Sequence, residues 1–474
     1  MEQAFQPRCA KPRTEVACFK IAMIYDSLDT KTTIIAPTTA EGGAVMVVRL
    51  SGENAIDIAD KMFRGRTTLA SAKGYTLHYG RIVDNDNNTI DDVVVALFRT
   101  PHSYTGDDTV EITMHGSRHI TQAVIRLAIE HGARMATAGE FTRRAFLNGK
   151  MDLSRAEAVA DIIASDSQWS HNIASTQMRG DYSTRLNGLR DELLRLCSLL
   201  ELELDFSEED VEFADRTELK NILDKVEQQI GHLCSSFTLG NAIKNGVNVA
   251  IIGEPNVGKS TLLNRLIGDD CAMVSDIAGT TRDTIEATTI IDGIRFRFVD
   301  TAGLRTTDDK LEQMGIERTH RAISKAHIIV HLTSADNPDF GNYATDSDSQ
   351  HYIKAINKID KLISTDNVDN NNTLYISAKE NIGIDILRDK LRSIVDTSSL
   401  DNSSVVVSNM RHYEALSLAN EALHDAQQAM TLGLSGDLIS EDIRRIIHHL
   451  GEITGDITSD DILQSIFSKF CIGK

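Results

Sequence analysis

Val247-Asn-Val-Ala-Ile-Ile-Gly253-Glu-Pro-Asn256-Val257-Gly258-Lys259-Ser260 is an apolar run followed by Gly-x-x-x-x-Gly-Lys-Ser, and Thr261 to Leu266 continues at helical spacing. Strand, glycine loop and helix together are what a phosphate-binding loop requires. Gly253 and Gly258 let backbone N–H groups turn inward, the helix adds the positive end of its dipole, and Lys259 adds a mobile charge. The chemistry implied is polyphosphate binding, with the Ser260 hydroxyl placed to ligate Mg²⁺ between two phosphates.

Later motifs choose the nucleotide. Asp300-Thr301-Ala302-Gly303 follows the apolar run Ile294 to Val299, which puts Asp300 at a strand end near the Mg²⁺ shell and lets the Gly303 N–H face a γ-phosphate. Asn357-Lys358-Ile359-Asp360 follows Tyr352 to Ile356. A carboxylate at Asp360 accepts from guanine N1–H and the 2-amino group, donors that adenine lacks, so the wrong base leaves it unpaired. Ser377-Ala378-Lys379 supplies the remaining contact to the base edge. In this order and spacing the motifs specify a GTPase domain. In Ras-type enzymes a glutamine after Asp-x-x-Gly orients the attacking water. Here the residue is Leu304, which cannot hydrogen-bond water, so hydrolysis needs another group or the domain is a slow switch.

These motifs need a Ras-like α/β P-loop fold to position them, and 474 residues leave room for about three domains. The net charge of −20 excludes a blanket nucleic-acid coat, so any RNA contact is local. Six cysteines lie far apart without a Cys-x-x-Cys pair, which argues for a reducing, cytoplasmic setting rather than zinc or disulfides. No apolar run approaches the roughly 20 residues of a membrane span. Residues 1–30 read as a poorly defined extension without a secretory signal.

Strand-like stretches at Thr33 to Pro37, Gly42 to Gly52, Tyr75 to Val83, Asp92 to Phe98 and Thr109 to His115, with helical runs ending at Phe63 and His131, predict an α+β domain over 31–150. From Leu153 the period turns helical through Ser165, Ser170 to Arg179, Leu186 to Leu204 and Arg216 to Leu239. Leu189, Leu193, Leu196 and Leu200 read as packed core. Met410 to Met430 and Asp437 to Leu450 are helical again. An all-α bundle (151–245 and 399–474) is therefore expected to be interrupted by the GTPase domain (246–398), its halves meeting through space. Between Leu332 and His351 the Asp- and Asn-rich chain has no helical period, so the helix usual there is expected to be shortened.

Gly253-Glu-Pro-Asn-Val-Gly-Lys-Ser260, Asp276-Ile-Ala-Gly-Thr-Thr-Arg-Asp283, Asp300-Thr-Ala-Gly-Leu-Arg305, Gly139-Glu-Phe-Thr-Arg-Arg-Ala-Phe-Leu-Asn148 and the ending Phe470-Cys-Ile-Gly-Lys474 closely resemble the MnmE (TrmE) family of tRNA-modification GTPases. The resemblance covers about residues 32 to 474. It implies a homodimer formed through the N-terminal domain, which binds 5-formyltetrahydrofolate or a related one-carbon folate. It further implies an FAD-containing MnmG-type partner in a heterotetramer that installs an aminomethyl or carboxymethylaminomethyl group at C5 of the wobble uridine of certain tRNAs. GTP hydrolysis is implied to switch on when two GTPase domains meet around K⁺.

Residue by residue, the resemblance makes Asn256, Ser275, Ile277 and Thr280 the K⁺ ligands, within a GTP-contacting loop that also holds Asp276, Ala278 and Gly279. Thr281 joins Ser260 on Mg²⁺, and Glu312 positions water in place of the missing glutamine. A cation beside the β- and γ-phosphates does the electrostatic work of an arginine finger. Arg49, Glu111, Lys150 and Lys474 match folate-binding positions. A carboxylate suits a pterin's donor edge, and cations suit the anionic tail. Ala40-Glu41-Gly42-Gly43 replaces the family's Gly-Arg-Gly-Gly, a charge reversal expected to weaken anion binding or alter the dimer contact. Cys471 is either a nucleophile or acid on a one-carbon intermediate or a small buried hydrophobe. A rival reading is a ribosome-assembly GTPase switch, which predicts an RNA-binding domain. It draws on the Pro255-Asn-Val-Gly-Lys-Ser260 loop, which several such GTPases share, but the only Gly-x-x-Gly that could suggest a KH loop, Gly433-Leu-Ser-Gly436, lies between helical runs without the flanking strands or basic residues. A third reading is a folate-dependent enzyme that the GTPase merely regulates.

Overall fold

Alternation of apolar and polar residues between Thr33 and His115 produces a sheet with one buried and one open face. The computed structural model describes residues 31–205, 216–268, 286–300, 323–340, 350–361, 373–395 and 405–474. They fall into two compact units. One comprises the chain up to Ala160 with Gln177–Ile222 and Glu421–Lys474, the other Asp161–Thr176 and Leu223–Asn420.

The first unit begins with β1 (Ile34–Pro37), β2 (Val45–Ser51), α1 (Ala55–Met62), β3 (Phe63–Gly65), β4 (Thr76–Val83), β5 (Thr89–Phe98), β6 (Thr109–His115), α2 (Arg118–Glu130), β7 (Arg134–Met135) and α3 (Glu140–Leu147). The sheet order is β3-β4-β5-β6-β2-β1-β7. Val48, Leu50, Val93, Val95 and Ile112 point inward against Ile58, Met62, Val124 and Leu127 of α1 and α2. Their strand neighbours face away, so Leu77 and Tyr79 are 73% and 71% exposed. In α3, Glu140 and Arg144 are buried together. Burial alone would raise the Glu140 carboxyl, but hydrogen bonds from Arg134 and the Thr137 N–H, with the charges of Arg134 and Arg144, hold it down at about 2.

The helical period from Leu153 becomes α4 (Leu153–Ala164), α5 (Gln168–Arg179), α6 (Asp181–Asp205) and α7 (Arg216–Asn245). The second sheet follows, with β8 (Val247–Ile252), α8 (Lys259–Ile267), β9 (Glu286–Ile291), β10 (Ile294–Asp300), β11 (Ile328–Ser334), β12 (His351–Asn357), β13 (Thr373–Tyr375) and α9 (Ile384–Ile394). Its order is β13-β12-β11-β8-β10-β9, parallel except for the antiparallel β9 edge. β8 is flanked on both sides and its carboxyl end feeds the glycine loop, the position where open α/β sheets bind ligands. Residues 335–340 form turn and extended chain rather than helix, and 341–349 lie outside the described residues.

Helices return as α10 (Met410–Thr431), α11 (Gly436–Thr454) and α12 (Asp460–Phe467). Leu186, Leu189, Leu193, Leu196 and Leu200 of α6 are buried, and α6 packs along α11. Arg190 of α6 also pairs with Asp456, just beyond α11. Helices from either side of the GTPase sheet thus share one core, as an inserted domain requires. Gly433 to Gly436 links α10 directly to α11, so the strands a KH loop would need do not flank it.

Candidate nucleotide-binding site

Gly253 has φ +145°, and a Cβ there would stand 2.0 Å from the Leu332 carbonyl oxygen. Gly258 has φ +103°, and its Cβ would stand 2.3 Å from Asn357 Nδ2. Only glycine fits either place. The backbone therefore turns tightly onto the N-terminus of α8, the end of a helix that favours an anion and a ready cradle for one. Buried Lys259 turns into it, its ammonium donating to the Gly253 and Glu254 carbonyls at 2.8 Å each. Ser260 and Thr261 are exposed on the first turn of α8.

Asp300 ends β10 in register with Ile251 of β8, which brings its backbone alongside the strand that feeds the loop. Its side chain, Thr301, Ala302, Gly303, Ser275, Asp276, Ile277, Ala278, Gly279, Thr280, Thr281 and Glu312 lie outside the described residues. Asn256 is exposed with φ +64°, and its carbonyl accepts from Lys358 Nζ at 2.7 Å.

The base-side motifs are fastened to the phosphate side by Asn357, which is 3% exposed. Its Nδ2 donates to the Val257 carbonyl at 2.8 Å and its Oδ1 accepts the Ala378 N–H at 2.9 Å. Sequence reasoning made Asn357 a nucleotide contact; the structure shows it as a staple between two loops. Arg265 is a second fastening that the sequence did not mark. From α8 its Nε and Nη2 donate to the carbonyls of Ala378 and Lys379 at 3.2 and 3.0 Å, across 113 residues of chain. An arginine on an amphipathic helix carries no signal of such a partner.

Asp360 is exposed, and one of its oxygens accepts the buried Ser377 hydroxyl at 2.6 Å. That bond, above all, holds its carboxyl below the usual range and keeps it an acceptor. Lys379 is exposed beside Glu380. Asp360→Asn is expected to weaken GDP binding by about tenfold to a hundredfold, the worth of a charge-assisted hydrogen bond turned into an N–H facing N–H clash. Equal GDP titration curves for the two proteins would refute the base contact.

The four expected folate positions fall in the first unit. Arg49 and Glu111 face each other in the β2–β6 register and form an ion pair at 2.8 Å, with the Arg49 guanidinium 5.2 Å from the Tyr104 ring centre. Lys150 donates to the Pro101 carbonyl at 2.9 Å. The C-terminal segment runs beside β1: Ile472 bridges Ala138, and a Cβ on Gly473 would lie 2.1 Å from the Pro37 carbonyl oxygen. Lys474 follows directly. Cys471 is exposed, which excludes the buried-hydrophobe alternative. Among the described residues, one group has metal-ligand types within reach of one another. It is His448, His449 and Glu452, whose His–carboxylate distances of 3.6 and 3.0 Å suit ordinary helix-surface pairs.

A family model described as the MnmE helical domain matches residues 153–471, and one described as the GTP-binding protein TrmE N-terminus matches residues 33–150. The tRNA modification GTPase MnmE of Bacteroides fragilis is 48% identical over 462 residues, covering 93% of this chain and 99% of that protein. The protein of the same name from Parabacteroides distasonis is 48% identical over 459 residues, covering 93% of this chain and 100% of its own length. Among solved structures, Aquifex aeolicus Era bound to GDP and aluminium fluoride is 26% identical, covers 37% of this chain and 65% of that one, and has a TM-score of 0.26. No helix among the described residues is long and apolar enough to cross a membrane. With family models matching residues 33–150 and 153–471 and relatives 48% identical along 93% of its length, this chain belongs to the MnmE family of tRNA-modification GTPases.

Proposed function

We propose that the chain couples GTP hydrolysis to building an aminomethyl or carboxymethylaminomethyl group on C5 of the wobble uridine of certain tRNAs, with an FAD-containing MnmG-type partner in a heterotetramer. The observation that carries the reading is the stapling of a glycine cradle to an acidic base-side turn through Asn357, in a chain 48% identical to tRNA modification GTPases along 93% of its length. The proposed organisation is a folate and dimer domain at 31–150, a helical domain at 151–245 and 399–474, and the GTPase domain at 246–398.

The loop fits a polyphosphate because Gly253 and Gly258, at positive φ and pressed against Leu332 and Asn357, seat it at the N-terminus of α8 beside Lys259. Ser260, Thr281 and the Asp300 region would hold Mg²⁺, which supplies neutralisation of phosphate charge. Lys259 binds the phosphates, and Asp360, oriented by Ser377, binds the base edge. Glu312 positions the water that Leu304 cannot. Asn256, exposed at a turn of the loop, would hold K⁺ with Ser275, Ile277 and Thr280. Homodimerisation is supported by the open sheet face, where Leu77, Tyr79 and Val94 lie exposed on paired strands. For the folate, Glu111 and Arg49 stand side by side and half-shielded, near the strand edge along which Gly473 and Lys474 are laid. Exposed Cys471 is available there as nucleophile or acid.

The deciding experiment is steady-state GTP hydrolysis in K⁺ and Na⁺ buffers of equal ionic strength, over a range of protein concentrations. A rise of at least about tenfold in K⁺, growing with concentration, is expected for a cation acting where charge develops. Equal slow rates in both would leave Asn256 a loop residue and favour the assembly switch.

A further inference from the structure

A cavity of about 240 Å³ lies in the second unit, apart from the residues that frame the nucleotide site. Lys244 and Asn245 from the end of α7, Arg295 and Arg297 from β10, and Ser165 and Ser170 line it. Residues two apart on a strand share a face, so the two arginines emerge side by side, while the intervening Phe296 is fully buried. Their stems cross the backbone at Gly246, where φ is +90° and a Cβ would lie 2.9 Å from Arg297 Cδ and 3.2 Å from Arg295 Cδ. Gly246 is the one residue between α7 and β8, and β8 leads into the phosphate loop. The cations therefore cover the joint between the helical arm and the nucleotide-binding strand.

Lys244 is neutralised by Asp161 at 2.7 Å, and Arg295 reaches Asp166. Yet Arg295 Nε is buried and makes no hydrogen bond. Burial lowers the Arg295 pKa and the like charge of Arg297 lowers it further. Arg297 Nη1 donates to the Asn245 carbonyl at 3.5 Å, but neither that carbonyl nor the backbone turn carries a full negative charge, so an anion between the two crowded guanidinium groups would relieve their repulsion. A guanidinium is a planar fork of N–H donors, a geometry matched to an oxyanion with three or four oxygens.

We propose that this cavity, walled by Arg295 and Arg297 over the Gly246 joint, binds a phosphoryl group, either free phosphate or a phosphodiester of bound tRNA. The tRNA source rests on the function proposed above; the phosphate chemistry does not. An anion there ties the end of α7 to β10 at the base of the strand that carries the glycine loop.

The test is calorimetric titration of inorganic phosphate into the full chain with an excess of Mg²⁺ and a non-hydrolysable GTP analogue, which fills the γ-phosphate position as well as the rest of the nucleotide cradle, against chloride of equal ionic strength. One saturable site per chain is expected, weakened by about tenfold or more in Arg297→Gln through loss of charge-assisted bonds. Arg295→Gln should do the same; because it also breaks the Asp166 pair, Arg297→Gln decides if that variant unfolds. The second arm measures the salt dependence of tRNA binding. If a phosphodiester fills the site, Arg297→Gln lowers the log–log slope by about 0.7 to 0.9. An unchanged slope with lost phosphate binding assigns the site to free phosphate. Absence of saturable phosphate binding, or binding indifferent to Arg297→Gln, overturns the proposal. A chain that binds phosphate but no tRNA would count against the tRNA reading alone.

Discussion

Gly258→Val is expected to lower kcat/KM for GTP by about a thousandfold, roughly 4 kcal/mol, while far-UV circular dichroism stays unchanged. The residue holds φ +103°, and a Cβ would lie 2.3 Å from Asn357 Nδ2. A β-branched side chain in the left-handed region costs about 1 to 3 kcal/mol by itself. The valine must also push Asn357 off the Val257 carbonyl, leaving buried polar groups unpaired at about 1 to 3 kcal/mol. The remaining loss comes from the shift of the loop backbone, which Asn357 holds in place at the N-terminus of α8. Gly258→Ala should fall between, since it carries the Cβ without the branches. Competition with a fluorescent GDP analogue separates binding from chemistry. Near-native affinity in the valine variant would mean that the cradle is not where the phosphates sit.

What the sequence disclosed depends on how local each physical constraint is. The glycine loop was legible because its turn admits only glycine at Gly253 and Gly258, and strand and helix adjoin it in the chain. The Leu stripe of α6 was legible for the same reason, since helical period needs no distant partner. Helix ends were less so: the helix read over Arg216 to Leu239 continues to Asn245, because Ala242 and Ile243 extend its buried stripe into the GTPase core. Partners remote in sequence were invisible. Arg49 and Glu111 were each recognisable as site candidates, but their ion pair follows from the β2–β6 register, which no single strand encodes. Nothing in the sequence marks Glu140 and Arg144 as buried; they are, because Arg134 on β7 and the Thr32 carbonyl complete their hydrogen bonds. Arg265 carried no mark at all.

Asn357→Ala is expected to raise the GDP dissociation constant by about a hundredfold, through the loss of two buried hydrogen bonds worth together about 2 to 4 kcal/mol. The side chain is saturated at both ends, with Nδ2 on the Val257 carbonyl and Oδ1 on the Ala378 N–H. Val257 and Ala378 are 5% and 1% exposed, so water does not readily replace the lost partners. The consequence differs for the two halves of the site. Pyrophosphate, which needs only the cradle, should lose less affinity than GDP, which needs cradle and acidic turn at a fixed separation. Asn357→Asp sharpens the distinction: it keeps an acceptor for the Ala378 N–H but sets a carboxylate oxygen against the Val257 carbonyl. It should therefore harm pyrophosphate binding more than the alanine does, while sparing the base-side loop. Equal losses for pyrophosphate and GDP in Asn357→Ala would reduce Asn357 to a support of the cradle alone. A GDP constant within about threefold of the parent would remove the staple from the mechanism, and Arg265 would be left as the link between the phosphate helix and the base loop.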